Sequence, residues 1–147
     1  MKKILFVIMA VLIGTNAFSQ IEKPVKWSFA IKKESKDQAI IFLKADVQNS
    51  WHIYSLDQKD GGPIKTSFTF LPGAAYSLIG KVSQPQPHTK FESAFNMNVS
   101  YFENSVIFQQ KIRLKSGKGV LHGKLEYMTC NNQKCLPPED LDFSIKL

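Results

Sequence analysis

An all-β fold, an immunoglobulin-like antiparallel β-sandwich as first choice, is what this 147-residue chain predicts, and three observations carry that reading. Apolar and polar residues alternate with a period of two, short runs of this kind recur between turn signals, and no long stretch shows a helical period. Val25, Trp27, Phe29 and Ile31 alternate with Lys26, Ser28, Ala30 and Lys32, which gives one apolar face and one mostly wet face. Further strands are expected at 38–47, 51–56, 65–71, 76–82, 99–102, 106–114, 120–128 and 141–147. Asn49-Ser50, Asp60-Gly61-Gly62-Pro63, Pro72-Gly73 and Ser116-Gly117-Lys118-Gly119 punctuate them. Strands of this number and spacing suit a sandwich, with a small barrel as the alternative. Segment 83–98, with Pro85, Pro87, Phe91, Phe95 and Met97, lacks a clear strand pattern and reads as one long loop, functional or mobile.

The N-terminus reads as an export signal over 1–19. Lys2 and Lys3 precede an apolar run at 4–13, and Ala17 and Ser19 are the small residues expected before a cleavage point after Ser19. The run is too short to span a bilayer, so no membrane insertion is expected after cleavage, and residues 20–147 form one exported domain. Loss of Lys2 and Lys3 lowers the formal charge of +7 by two. The remaining cations are dispersed; Lys111, Arg113 and Lys115 share one side of a strand and read as a solvated face. Nucleic acid is a poor partner for an exported chain. Eleven Phe, four Tyr and two Trp supply aromatic mass for a core that does not depend on disulfides, even after Phe6 and Phe18 leave with the signal.

Most catalytic patterns are absent: there is no nucleophile elbow, no phosphate-binding glycine loop and no paired-histidine metal spacing. His52, His88 and His122 fall on separate elements, and the carboxylates are scattered. The distinctive segment runs from Tyr127 to Glu139 and holds both cysteines, Cys130 and Cys135. Four residues between them allow the sulfurs to meet across a tight turn at a strand end, while Pro137 and Pro138 hold the exit extended. Three readings compete. A structural staple would close a ring of only six residues, for which chain entropy contributes about 2 kcal/mol. A metal site would need two more ligands, and none stands at a characteristic spacing. A redox pair would be local and easily opened, with Lys134 favouring a thiolate at Cys135.

The run from Cys130 to Cys135 followed by Leu136-Pro137-Pro138-Glu139, with Tyr127 three residues ahead of the first cysteine, resembles the active-site segment of the N-terminal periplasmic domain of DsbD, a transmembrane thiol-disulfide reductase. The strand Trp51-His52-Ile53-Tyr54 is similar to an aromatic early strand of that domain, and the resemblance extends over nearly all of 20–147. It implies a periplasmic immunoglobulin-like domain whose reversible Cys130–Cys135 pair serves as the catalytic pair of a protein-disulfide reductase component. The pair would take electrons from a membrane-embedded thiol reductase and pass them to thioredoxin-like periplasmic proteins, with no cofactor and no metal. The donor is expected to be a separate protein, since the membrane-spanning and thioredoxin-like domains of full-length DsbD have no counterpart in these residues. The ring departs from the family segment by one residue fewer between the cysteines.

The family also carries a phenylalanine cap over its cysteines with an acidic residue nearby. The local match places Phe95 as the cap, with Phe91 as its alternative, and Glu92 as the acid. Tyr54 and Tyr127 are candidates to hydrogen-bond near a sulfur or to pack with a wet hydroxyl. His52 is expected on the strand face opposite Tyr54 and outside the site. Which sulfur attacks first stays open, the analogy leaning towards Cys130. The reading from a different class is a non-catalytic binding or assembly module with a structural hairpin disulfide.

Overall fold

The period-two pattern becomes eleven strands in the computed structural model, which describes residues 22–115 and 118–147. The expected signal at 1–19 and the first two residues of the expected turn signal Ser116-Gly117-Lys118-Gly119 lie outside the described residues. Strand β1 is Val25–Lys33, β2 Gln38–Val47, β3 Trp51–Tyr54, β4 Ser67–Phe70, β5 Tyr76–Ser83, β6 His88–Glu92, β7 Met97–Glu103, β8 Ser105–Leu114, β9 Val120–Tyr127, β10 Thr129–Asn131 and β11 Glu139–Lys146. Among the described residues there is no helix. Every pairing is antiparallel, as hairpins and short connections require.

Three sheets result, in the orders β1-β2-β8-β5, β10-β3-β7-β6 and β11-β9-β4. The first packs against both others to make the sandwich. Trp27 of β1 meets Phe68 of β4 and Tyr127 of β9 edge-on, Phe29 stacks on Phe143 of β11 at 4.6 Å, and Phe108 of β8 meets Phe102 of β7 edge-on at 5.6 Å. Strict alternation in β8 buries Val106, Phe108, Gln110, Ile112 and Leu114 against this core. The buried amide of Gln110 is satisfied by donating to the carbonyls of Ile79 and Lys111, beside the register shift in β5. Gly123 lies under the Phe143 ring, where a Cβ would come within 2.3 Å of it, so the Phe29–Phe143 stack depends on a residue without a side chain.

Two expectations change. Segment 83–98 is not one long loop: His88–Glu92 is an edge strand, and a turn at Ser93–Asn96 joins it to β7. That turn is closed by bonds from the Phe95 and Asn96 amides to the Glu92 and Ser93 carbonyls, with Asn96 in the left-handed region at φ 51°. No alternation marks this strand in the sequence because none of its residues is buried: His88–Glu92 is exposed or only partly buried throughout. The expected strand 120–128 also stops at Tyr127. Met128 then carries the chain from the third sheet to the second, where β10 begins.

Candidate functional site: the cysteine hairpin and the sheet beneath it

Strand β10 pairs with β3, placing Thr129 opposite Ile53, Cys130 opposite His52 and Asn131 opposite Trp51. The chain then folds back on itself. The Asn131 amide donates to the Lys134 carbonyl and the Leu136 amide to the Thr129 carbonyl, each at 2.9 Å. The Asn131 side-chain oxygen accepts from the amides of Gln133 and Lys134 at 2.8 Å, so the asparagine closes its own turn. Cys130 and Cys135 oppose one another between these two bonded positions, the non-hydrogen-bonded kind of pair in which antiparallel backbones come closest. Their Cα atoms are 4.0 Å apart and their sulfurs are joined as a disulfide.

The two half-cystines occupy different environments. Cys130 is 1 % exposed and packs with Tyr54 and Val99, whereas Cys135 is exposed. A cleft of about 330 Å³ opens beside Cys135, between the hairpin residues Asn131–Lys134 and the β6–β7 turn at Glu92, Ser93 and Ala94.

The second sheet has two faces with separate duties. Trp51, Ile53 and Phe102 face the main core. The other face carries Cys130 of β10, His52 and Tyr54 of β3, Met97, Val99 and Tyr101 of β7, and His88, Lys90 and Glu92 of β6, as their registers require. Phe95 reaches back over this face from the β6–β7 turn. It is half-buried against the Cys130 cluster and meets Tyr54 edge-on with centroids 6.3 Å apart. Phe91 is 61 % exposed and does not cover the sulfurs.

A polar group shares this sheet face with Cys130. His52 Nε2 is 3.3 Å from the Tyr54 hydroxyl and 3.8 Å from Glu92 Oε2, and Lys90 Nζ holds the same carboxylate oxygen at 3.0 Å. Burial, and then the charge on Lys90, push the His52 pKa down to about 4, with Glu92 opposing, so the imidazole is neutral at neutral pH. Burial and the Glu92 charge raise the Tyr54 pKa and keep its hydroxyl protonated. Among the described residues no cluster of three His, Cys, Asp or Glu side chains could hold a metal ion.

The structure therefore gathers Cys130, Cys135, Phe95, Glu92 and Tyr54 in one place. Tyr127 lies elsewhere: it belongs to the main core, against Trp27, and its hydroxyl donates to Glu139 Oε2 at 3.0 Å. The expectation for His52 is overturned. Residues two apart on a strand share a face, and His52 stands beside Tyr54, 4 % exposed. The period-two rule applied to β3 was signal enough to find it. The Lys134 ammonium, expected to act on Cys135, is paired with Glu22 at 2.6 Å.

Fold and site together define a class: an immunoglobulin-like β-sandwich that presents one hairpin disulfide at the edge of a sheet, with one half-cystine buried and the other exposed. Within that class, the family described as "Thiol:disulfide interchange protein DsbD, N-terminal" matches residues 19–146, and the chain belongs to it. Solved structures agree on the fold. The reduced DsbD N-terminal domain of Neisseria meningitidis is 17% identical at a TM-score of 0.59, over 89% of this chain and 93% of that one. The N-terminal periplasmic domain of ScsB from Proteus mirabilis is 16% identical at 0.60, over 86% of this chain and 47% of that one. The Neisseria DsbD N-terminal domain in complex with the PilB N-terminal domain is 16% identical at 0.57, over 88% of each chain. No curated protein matches the chain in sequence.

Proposed function

We propose that this domain is an exported thiol-disulfide exchange module in which Cys130 and Cys135 form the reversible pair, residues 1–19 act as a cleaved signal peptide, and 20–147 work in the periplasm. It accepts electrons from a membrane-embedded thiol reductase and delivers them to oxidised thioredoxin-like proteins. The observation that carries this reading is the unequal exposure of the disulfide. A staple gains nothing from an open sulfur, whereas exchange requires in-line access to one sulfur and a leaving group on the other. Membership of the DsbD N-terminal family supports the chemistry, and the Neisseria complex with PilB supports the kind of partner.

In the oxidised domain, a donor thiolate attacks Cys135 Sγ. A sulfur–sulfur bond forms to the donor, the Cys130–Cys135 bond breaks, and Cys130 leaves as a thiolate. The donor's second thiol then releases Cys135, giving the dithiol domain and an oxidised donor. In the reduced domain Cys135 attacks the acceptor disulfide and Cys130 resolves the mixed disulfide. This order is the reverse of the one towards which the family analogy leaned, and it rests on exposure. Phe95 acts as a cap that limits adventitious access, and Glu92 borders the cleft where a partner's cysteine would enter.

Trapping tests the proposal. Expressed in its native envelope, Cys130→Ser retains the exposed attacker without its resolver and should accumulate reducible adducts with thioredoxin-like proteins, well above the level seen for Cys135→Ser. Adducts from neither variant, at the level of an unrelated exported protein with one free cysteine, would leave a binding module with a structural hairpin.

A further inference from the structure

Opening the disulfide creates a charge in a place poorly suited to hold one. Cys130 is 1 % exposed, among Tyr54, Val99 and the half-buried Phe95, Met97, Tyr101 and Met128. Burial in apolar surroundings raises a thiol pKa and makes its thiolate a poor leaving group, unless a compensating charge stands close by. The register supplies a candidate. His52 is the residue directly opposite Cys130 in the β10–β3 ladder, and directly opposed residues on one face have Cβ atoms about 4.5–5.5 Å apart.

We propose that His52 is the charge partner of Cys130: it takes up a proton as the Cys130 thiolate forms and holds sulfur and ring as an imidazolium–thiolate pair beneath the Phe95 cap. This rests on the exchange reading above. The balance is closed. A thiol of a donor dithiol ionises, and its thiolate bonds to Cys135 Sγ. The electron pair of the Cys130–Cys135 bond leaves on Cys130, and the proton released by the donor thiol is taken up by His52 through the cleft beside Glu92. The reverse steps return it when an acceptor disulfide reoxidises the pair.

The groups around the imidazole suit a switch between neutral and charged forms. Tyr54 on its own strand offers a hydroxyl at 3.3 Å. Glu92 and Lys90 of β6 stand together, the carboxylate 3.8 Å from Nε2 and the ammonium bound to that same carboxylate. From β7, Tyr101 meets the ring at 5.2 Å and Glu103 is its ladder partner, while His88 of β6 lies behind Tyr101 at 5.6 Å. In the disulfide form burial and Lys90 outweigh Glu92, and the ring is neutral. An added negative charge within about 4–6 Å works against burial and Lys90 on the side of Glu92, since a close opposite charge shifts a pKa by about 1–3 units.

The test is the titration of His52 by NMR in the disulfide form and in the chemically reduced form of the wild-type domain. Its pKa should rise by about one unit or more on reduction, and should stay low in Cys130→Ala/Cys135→Ala, which has neither bond nor thiolate. An identical titration in both redox states overturns the proposal. So does an equal rise in the double alanine variant, which would assign the effect to loosened packing. His52→Phe, with His52→Gln as a second variant if Phe does not fold, should raise the Cys130 thiol pKa by about one unit without moving that of Cys135. An unmoved Cys130 pKa also overturns it. Failure of the exchange reading is seen separately, as the absence of mixed disulfides in the trapping experiment whatever His52 does.

Discussion

Cys130 and Cys135 face each other across the closest kind of antiparallel pair, yet one is sealed beneath an aromatic cluster and the other stands open to solvent. The hairpin produces this inequality through its attachment. Only its first arm pairs with β3, so the Cys130 side chain is pressed onto a sheet face, while the second arm, followed by Pro137 and Pro138, hangs at the rim. In the reduced domain Cys135 should alkylate faster than Cys130 by about tenfold or more, because rate follows thiolate access. Mass spectrometry of a partially alkylated sample checks this, and equal labelling would remove the structural basis for assigning attack to Cys135.

Phe95→Ala should speed alkylation of the reduced thiols with only a modest loss of stability, about 1 kcal/mol, because its ring lies over a sheet face and is only partly buried. Phe108→Ala is the contrast. That ring is fully buried among Trp27, Phe68 and Phe102, and its removal should cost about 3–5 kcal/mol. Denaturant midpoints measured beside alkylation rates separate the two, and a loss of several kcal/mol at Phe95 with unchanged alkylation would make it a core residue.

Cys130→Ser with Cys135→Ser should leave a cooperatively folding β-protein. The ring contributes about 2 kcal/mol through chain entropy, and the core beneath it is built from aromatic contacts among three sheets that do not involve the sulfurs. Loss of a cooperative transition by circular dichroism would count for a staple.

Stability should fall on acidification, and His52 sets the window. Its pKa is about 4 in the folded domain against 6.5 for an unperturbed histidine, so the unfolded chain binds the extra proton between those values. The contribution is fully present above about pH 6.5, is lost progressively as pH falls to about 4, and amounts to about 2 kcal/mol between pH 7 and pH 5. Urea midpoints at the two pH values should therefore differ more for the oxidised wild type than for oxidised His52→Gln. Parallel pH dependences would show that His52 is not buried neutral.

The strands with one buried face were legible from alternation, and Gln38–Val47 has the bounds expected of it. The turn between the cysteines was legible from their spacing and from the residues on either side. What escaped was set by partners distant in sequence. The edge strand His88–Glu92 is defined by pairing with β7 and has no core face of its own to impose a pattern. The change of sheet at Met128 depends on β3 being free to accept β10. Tyr127 and Tyr54 looked equivalent as aromatic neighbours of a sulfur, but strand parity sends one to the main core and the other to the Cys130 cluster. His52 was within reach, because it shares parity with Tyr54.

The reduction potential of the Cys130–Cys135 pair, obtained by equilibrating the domain with glutathione or dithiothreitol buffers, tests the exchange account most directly. The account predicts a value in the range of exchange proteins, about −120 to −270 mV, and a value well below about −300 mV would mark a structural bond and contradict it.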